Sequence, residues 1–174
     1  MIKGIDMQTP FRLAHEEHGA ELVEFALAAS LLALVLFGVF QWMFAMYAYH
    51  FTNFAAQQGA RFAMVRGYTW SKDSATSCST SAPPNFTMTY GCTASSADIQ
   101  NYVQTLATVG LNSSNVTVNT TNWPGTTPDG ATCATVNSQG CLVKVTVSYT
   151  YSFIPFLKVT ALPISATSES VILQ

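Results

Sequence analysis

Residues able to perform acid–base or nucleophilic chemistry are sparse in this chain of 174 residues. Three histidines occur, and only His50 follows residue 19. His50 stands at the end of a long apolar run, whereas a Ser-His or Cys-His site needs its base on the surface of a folded domain. The carboxylates beyond this run are scattered and predict no paired acid–base site: Asp73, Asp98, Asp129 and Glu169. An exported hydrolase is therefore poorly supported, and we expect no enzyme activity.

The cysteines offer a second kind of chemistry. All four, Cys78, Cys92, Cys133 and Cys141, follow the apolar run in Ser/Thr/Asn/Gly-rich sequence. They lack CxxC spacing and a neighbouring histidine, so no metal site is predicted. Four cysteines allow three disulfide connectivities, and proximity favours Cys78–Cys92 with Cys133–Cys141; four buried free thiols are the alternative. Disulfides would place this part of the chain in an oxidising compartment.

A glycine followed by two glutamates lies at the N-terminal end of the apolar run. Gly19 and Ala20 precede Glu21 and Glu24, and Phe25 comes next. Either glutamate could be ordinary first-turn charge, because a helix N-terminus favours acidic side chains. A carboxylate at the bilayer edge can also reach the polar interface, so its cost stays below the ~2.5–3.5 kcal/mol of a charge at the centre of a spanning helix.

The element that must position these residues is the apolar run itself. Residues 26–49 carry no charge, and as a helix they would extend ~36 Å, enough to cross a ~30 Å hydrocarbon core. A soluble core helix is the alternative, but the run is apolar on all faces. A secretory signal is also disfavoured, because its apolar region is only about 7–15 residues long. We therefore predict a retained membrane helix.

Composition excludes two further classes of function. Charged residues make up 9% of the chain against a typical ~25%, and the net charge is −2, so nucleic-acid binding is not expected. No glycine-rich phosphate loop occurs, so no cofactor is expected. Lys3 and Arg12 before the span balance Arg61 and Arg66 after it, so charge gives no orientation. The predicted disulfides favour an N-in, C-out topology.

Periodicity predicts how the helices continue beyond the span. One helix is expected over residues 20–66, and a run of small residues, which includes Gly59, would allow another helix to approach it closely. A second helix is expected over 95–110, with Ser96 as N-cap, Asp98 in the first turn and Gly110 at the end.

Alternation of residue types predicts strands over 115–121, 141–154 and 164–173. The predicted fold class is α+β: a long N-terminal transmembrane helix with a small extracytoplasmic domain of one short helix and an antiparallel sheet. The expected organisation is a leader at 1–19, the helix at 20–66 and the domain at 67–174.

A dense aromatic stretch near the end of the span admits two interpretations. It is either a belt at the outer membrane interface or a helix-packing surface in an assembly, and the belt accounts best for Tyr47, Tyr49 and Phe51. The full stretch contains Phe40, Trp42, Phe44, Tyr47, Tyr49, Phe51 and Phe54.

The segment "GAELVEFALAASLLALVLFGVFQWMFAMYAY" resembles the start of TadE-like pseudopilins of the Tad/Flp (type IVb) pilus system. If the chain were cut after Gly19, Glu24 and Phe25 would become the fifth and sixth residues, as at a type IVb pilin processing site. "NFAAQQGARFA", "VKVTVSYTYSFIPFL" and "ISATSES" resemble later elements of that family, whereas residues 68–140 carry no resemblance. The acidic "EEHG" before the cut departs from the usual basic leader.

The resemblance implies a minor pilin or pseudopilin, processed by prepilin peptidase between Gly19 and Ala20 and inserted in the bacterial inner membrane. It implies contacts with other pilin subunits and the Tad assembly machinery, and a part in pilus assembly, adhesion or secretion. Glu24 would meet the new amine of a neighbouring subunit. The alternative from the residues is an unprocessed single-span membrane protein whose outer domain binds a ligand or surface.

Overall fold

The computed structural model describes residues 13–68, 70, 87, 92–107, 110–153 and 161–173, with side chains from residue 19 onward except 120–122. The predicted α+β class is confirmed by a long apolar helix, a short helix and a three-stranded antiparallel sheet. The chain divides into two compact units, Met1–Met43 and Phe44–Gln174. The elements are α1 (Leu13–Met64), α2 (Ser96–Thr105), a 3₁₀ turn (Ser113–Asn115), β1 (Val116–Asn122), β2 (Leu142–Tyr151) and β3 (Leu162–Val171).

Helix α1 begins earlier than predicted. It starts at Leu13 and ends at Met64, against an expected 20–66. Between Leu13 and Gly19 the sequence "LAHEEHG" is rich in good helix formers, and the low helix propensity of one glycine does not stop the helix. At the other end, the Arg66 amide donates to the Ala63 carbonyl at 3.1 Å, which tightens the last turn.

In the second unit, α1 lies in one core with α2 and the sheet. Along α1 the core positions are mostly alanine: Ala48, Ala55, Ala56, Ala60 and Ala63. Small side chains let the helix backbone approach its neighbours closely, which is the role predicted for this run. The neighbours are elements of the same chain: Ile99 and Val103 of α2 and the buried face of β2.

The sheet has β2 at its centre, paired antiparallel with β1 on one side and β3 on the other. Along β2, Val143, Val145, Val147 and Tyr149 are at most 5% exposed, whereas the alternate residues are partly or fully exposed. The predicted period-2 face is therefore confirmed. The pairing of β1 with β2 is irregular between Asn119 and Asn122.

The cap of α2 is one residue away from the predicted position. Ser95, not Ser96, is the N-cap: its hydroxyl accepts from the Asp98 amide at 3.2 Å, and its own amide donates to Asp98 Oδ2 at 2.9 Å. These two bonds form a capping box, which satisfies amides that the first helical turn leaves free. The helix ends at Thr105 with Leu106 as C-cap, so Gly110 lies beyond its end.

The disulfide Cys133–Cys141 closes a short loop between β1 and β2. Backbone bonds join this loop to the residues after β3: the Gly140 amide donates to the Ile172 carbonyl at 2.9 Å, and the Ile172 amide donates to the Cys141 carbonyl at 2.8 Å. The loop therefore fixes the end of the third strand as well as its own hairpin.

Candidate functional site

The candidate processing and assembly residues lie on α1. Gly19, Ala20, Glu21 and Glu24 are exposed, and Phe25 is 74% exposed. A Cβ built on Gly19 would meet nothing within 4 Å. The segment is thus accessible in the single chain, and its backbone is helical on both sides of the Gly19–Ala20 bond.

Helical geometry fixes which of these residues share a face. Ala20 and Glu24 are four positions apart, so they lie one turn apart on the same side, with an axial separation of ~6 Å. Glu21 is three positions from Glu24 and lies on a neighbouring part of the same face. A chain that began at Ala20 would therefore carry its amine and the Glu24 carboxylate on the same side of the helix, about one turn apart.

The apolar surface that follows has the character of a membrane span. Gly19–Met64 contains a helix long and apolar enough to cross a bilayer, and the most apolar window has none of its residues buried in the protein. Leu31, Leu32 and Leu34 are 61–65% exposed. The hydroxyl of Ser30 donates to the Leu27 carbonyl at 2.8 Å, which satisfies this polar group within the helix itself. Such a surface is compatible with a single-pass membrane protein.

Gly59 is the glycine of α1 that packs most closely against the rest of the domain. A Cβ at Gly59 would lie 2.9 Å from Val103 Cγ2 and 3.0 Å from Val145 Cγ1. Both distances are shorter than ordinary van der Waals contact, so only glycine fits without a shift of Val103 or Val145. The sequence predicted close approach from the small residues but did not distinguish this glycine from the alanines around it.

Three of the four candidate cysteines lie within the described residues. Cys133 and Cys141 form the predicted disulfide, and Cys92 is also disulfide-bonded. Cys78 lies outside the described residues, so the pairing Cys78–Cys92 stays a prediction. Among the described cysteines none is a free thiol, which argues against the alternative of buried reduced cysteines.

The aromatic stretch divides between surface and core. Phe51 is 7% exposed and belongs to the core of the domain, so its assignment to an interfacial belt is wrong. A helix side chain that faces its own domain cannot also face lipid. The remaining members expose between 43% and 69% of their surface: Phe40, Trp42, Phe44, Tyr47, Tyr49 and Phe54.

The described residues do not assemble an acid–base or metal centre. His50 is exposed on α1, with its ring edge-on to Tyr49 at 5.9 Å. Asp98 is 1% exposed and forms the capping box of α2. Glu169 of β3 lies opposite Lys144 of β2 in the register of the sheet. Within this part of the chain no group of three or more His, Cys, Asp or Glu could hold a metal ion.

Comparison with known protein families supports the resemblance seen in the sequence. Residues 19–61 match the family model described as TadE-like protein. The match begins at Gly19, the residue before the predicted cut, and covers about a quarter of the chain. Proteins of this family are associated with the Tad pilus and are not enzymes. Neither a curated protein nor a solved structure matches the chain.

Proposed function

Because residues 19–61 match TadE-like protein, we propose that the chain is a minor pilin or pseudopilin of a Tad-type (type IVb) pilus. In this proposal prepilin peptidase removes residues 1–19 in the inner membrane. Helix α1 then anchors the mature protein in the inner membrane until the protein joins or primes the pilus. It would thereby contribute to pilus assembly, adhesion or secretion. The observation that carries the proposal is the position of Gly19, Glu24 and Phe25 at the N-terminal end of an exposed apolar segment, within the residues that match the family model.

The helical state of the Gly19–Ala20 bond supports a specific role for the glycine. In α1 the Gly19 carbonyl would accept from the amide four residues later, so the backbone must unwind before a peptidase can attack it. Glycine is ~1 kcal/mol less favourable in a helix than alanine, which makes local unwinding least costly at this position. Among the residues that the structure describes, none lies within 4 Å of a Cβ built on Gly19, which is in keeping with an easy opening at this position.

Cleavage would create an amine at Ala20, and Glu24 is the carboxylate best placed to pair with an amine. At the edge of the hydrocarbon, an isolated ammonium and an isolated carboxylate are each costly, and pairing them lowers both costs together. Since the two groups are ~6 Å apart along one helix, a neighbouring helix displaced by about one turn would bring its Ala20 amine level with Glu24. The pair would thereby also fix the axial register between subunits.

The disulfide-bonded domain supports the orientation with the C-terminal part outside the cytoplasm. Cys133–Cys141 and the disulfide-bonded Cys92 belong in an oxidising compartment. The partners in this proposal are other pilin or pseudopilin subunits, the Tad assembly machinery, prepilin peptidase and membrane lipid.

An unprocessed single-span protein whose outer domain binds a ligand remains the competing function. It shares the membrane helix and the domain but predicts an intact N-terminus and no assembly. Mass spectrometry of the N-terminus, on protein recovered from cells that contain a prepilin peptidase, separates the two. A chain that begins at Ala20 supports the pilin proposal, and one that begins at Met1 supports the competitor.

A further inference from the structure

The buried row of side chains on the sheet continues past the core at the end where β2 finishes and β3 begins. Along β2 this row passes through Val147 and Tyr149, which are 0% and 5% exposed, and reaches Tyr151, which is only partly buried. Leu162 lies opposite Tyr151 in the register of the sheet and is 43% exposed. The Tyr151 ring meets the Phe153 ring edge-on, with 5.1 Å between their centroids. We call Tyr151, Phe153 and Leu162 the strand-end cluster.

Two contacts within the second compact unit fix the direction of the sheet along α1. A Cβ built on Gly59 would lie 3.0 Å from Val145 Cγ1, so this part of β2 faces that turn of the helix. The Leu173 amide, just after β3, donates to the Met64 carbonyl at 3.0 Å. Because β3 ends opposite the start of β2, that edge of the sheet lies at the C-terminal end of α1. The strand-end cluster therefore lies toward the N-terminal part of the helix.

The rise of each element gives the level of the cluster along α1. Tyr151 follows Val145 by six residues, which is ~20 Å along an extended strand. The same distance along α1 covers about 13 residues and leads back from Gly59 to Met46. Burial on the helix agrees, because Ala48 is 0% exposed and belongs to the domain core. The cluster and the helical turn around Met46 therefore lie at about the same level.

The same turn is where the hydrocarbon core of a bilayer would end. No charged residue follows Glu24 until Arg61, and ~30 Å of helix after Glu24 covers about 20 residues, as far as Ala45. Phe44 and Tyr47 lie at this level and are 57% and 43% exposed. Aromatic side chains of this kind are enriched where a membrane helix leaves the hydrocarbon.

Charge is distributed unequally between the two ends of the sheet. In the described parts of β2 and β3, residues 145–153 and 161–168 contain no charged side chain. Lys144 and Glu169 lie opposite each other toward the other end, and Arg66 follows the C-terminal end of α1 on that side. The end of the sheet that carries the strand-end cluster is therefore the one that could enter a lipid interface without desolvating a described charge.

The segment that joins the two strands, residues 154–160, lies outside the described residues and is not part of the cluster. Its sequence, IPFLKVT, carries one charge, Lys158. A lysine is compatible with a lipid interface, because its aliphatic stem can lie along apolar surface while its amine reaches anionic headgroups.

Continuity with the membrane helix selects lipid as the occupant of the cluster. In a chain anchored by α1, the cluster would meet the headgroups and the first carbons of the acyl chains, at the level where the helix leaves the hydrocarbon. Leu162 and Phe153 offer apolar surface to the acyl carbons. Tyr151 combines an apolar ring with a polar hydroxyl, which is the combination favoured where one end of a side chain is wet.

We propose that the strand-end cluster rests in the lipid interface, so that the domain lies directly on the bilayer and does not stand above it on a helical stalk. The proposal rests on the membrane helix of the proposed function. It requires neither cleavage after Gly19 nor assembly, so a chain that keeps residues 1–19 should behave in the same way.

The test is spin labelling of the full chain in phosphatidylcholine–phosphatidylglycerol nanodiscs that hold one copy each, with the native disulfides kept oxidised. Leu162→Cys and Ser152→Cys place the nitroxide at the cluster. Collisions with oxygen, which concentrates in lipid, should exceed collisions with a water-soluble nickel chelate severalfold at both positions. Leu173→Cys is the matched control, because Leu173 is a 54% exposed leucine just beyond the other end of β3. It should show the opposite ratio.

Leu32→Cys tests the membrane helix separately, since Leu32 is 61% exposed within the apolar run. An oxygen excess at residue 32 with a nickel excess at residues 152 and 162 would overturn the proposal and leave the membrane helix in place. A nickel excess at residue 32 as well would contradict the membrane helix itself, and the proposal with it.

Nanodiscs that hold two copies test the competing occupant, a second copy of the chain. Dipolar broadening between two Leu162→Cys labels, with loss of the oxygen excess, would assign the cluster to a protein interface and overturn the proposal. An oxygen excess at Leu173→Cys would overturn it too, because both ends of β3 would then contact lipid. None of these results bears on whether the chain is cleaved after Gly19.

Discussion

The two parts of α1 are both rich in apolar residues, yet they meet opposite surroundings. Between Gly19 and Met43 the large apolar side chains, such as Leu36 and Phe25, are 50–74% exposed. Between Phe44 and Met64 the helix buries alanines, and Ala55 and Ala60 are 0% exposed. The first surface requires lipid or other helices to cover it, whereas one face of the second is already covered by its own domain and the opposite face keeps Phe44 and Phe54 exposed.

Two glycines show the same difference at single-residue resolution. A Cβ at Gly38 would meet nothing within 4 Å, whereas one at Gly59 would meet Val103 Cγ2 at 2.9 Å. Apolar composition alone therefore does not reveal which part of a long helix is a membrane or assembly surface. Side-chain size does not reveal it either, since Gly38 and Gly59 are the same residue type and differ only in what packs against them, which for Gly59 is Val103 and Val145.

The largest expected effect belongs to the exposed part of α1. Glu24→Ala should lower incorporation into sheared pili by about tenfold or more, because a paired amine would lose its countercharge in a low-dielectric setting. Membrane insertion should persist, since the substitution removes a charge from the helix. Immunoblots of the pilus and membrane fractions measure both quantities.

Glu21→Ala is the matched control for that substitution. Glu21 is also exposed, and it lies three residues before Glu24 on α1. The Glu21→Ala variant should therefore be incorporated into pili at close to the normal level. Equal loss for the two variants would show that general acidity, not the position of Glu24, matters.

The next effect tests the packed part of the helix. Gly59→Val should destabilise the domain by about 3 kcal/mol, because its branched side chain must displace Val103 and Val145. Gly38→Val should leave the stability of the domain unchanged, since nothing lies within 4 Å of its Cβ position. Thermal unfolding in micelles compares them, and similar melting temperatures for the two variants would contradict the packing described here.

A smaller loss is expected from opening the disulfide loop. Replacing Cys133 and Cys141 together by serine should cost about 2–3 kcal/mol, the value expected for a closed loop of this length. The effect should be local first, with faster amide exchange at Tyr68 and Ile172, whose bonds the loop supports. Uniform exchange across the domain would indicate that the loop does not clamp these residues.

The smallest predicted effect concerns Tyr151 and changes the stability of the domain at alkaline pH. Desolvation by burial, with a contribution from Tyr149, raises the pKa of the Tyr151 phenol above its ordinary value of 10.0. The folded state therefore keeps a proton that the unfolded chain releases, so stability is full below that ordinary value and falls as pH rises through the raised pKa. Tyr151→Phe should reduce the drop in melting temperature between about pH 9 and pH 11, and an unchanged drop would dismiss this contribution.

Periodicity predicted most of the fold, because alternation along β2 and the apolar helix are strong signals. It failed where several similar residues competed for one role. Ser95 and Ser96 are both good caps, and only the bonds to Asp98 distinguish them. Phe51 resembles its aromatic neighbours, and only the tertiary packing places it in the core.

The candidate site was predictable to a different degree at its two ends. The spacing from Gly19 to Glu24 is local, so the sequence alone fixes that both lie on one helix. The clash that defines Gly59 involves Val103 and Val145, which are distant in sequence, and no local pattern encodes it.

The central claim is that the exposed part of α1 begins with a new amine at Ala20. Intact-mass and N-terminal peptide mass spectrometry, on protein isolated from cells with and without prepilin peptidase, measures this directly. The account predicts a mature chain that starts at Ala20 and appears only with the peptidase. A chain that starts at Met1 in both strains, or one that starts beyond Ala20, would contradict it.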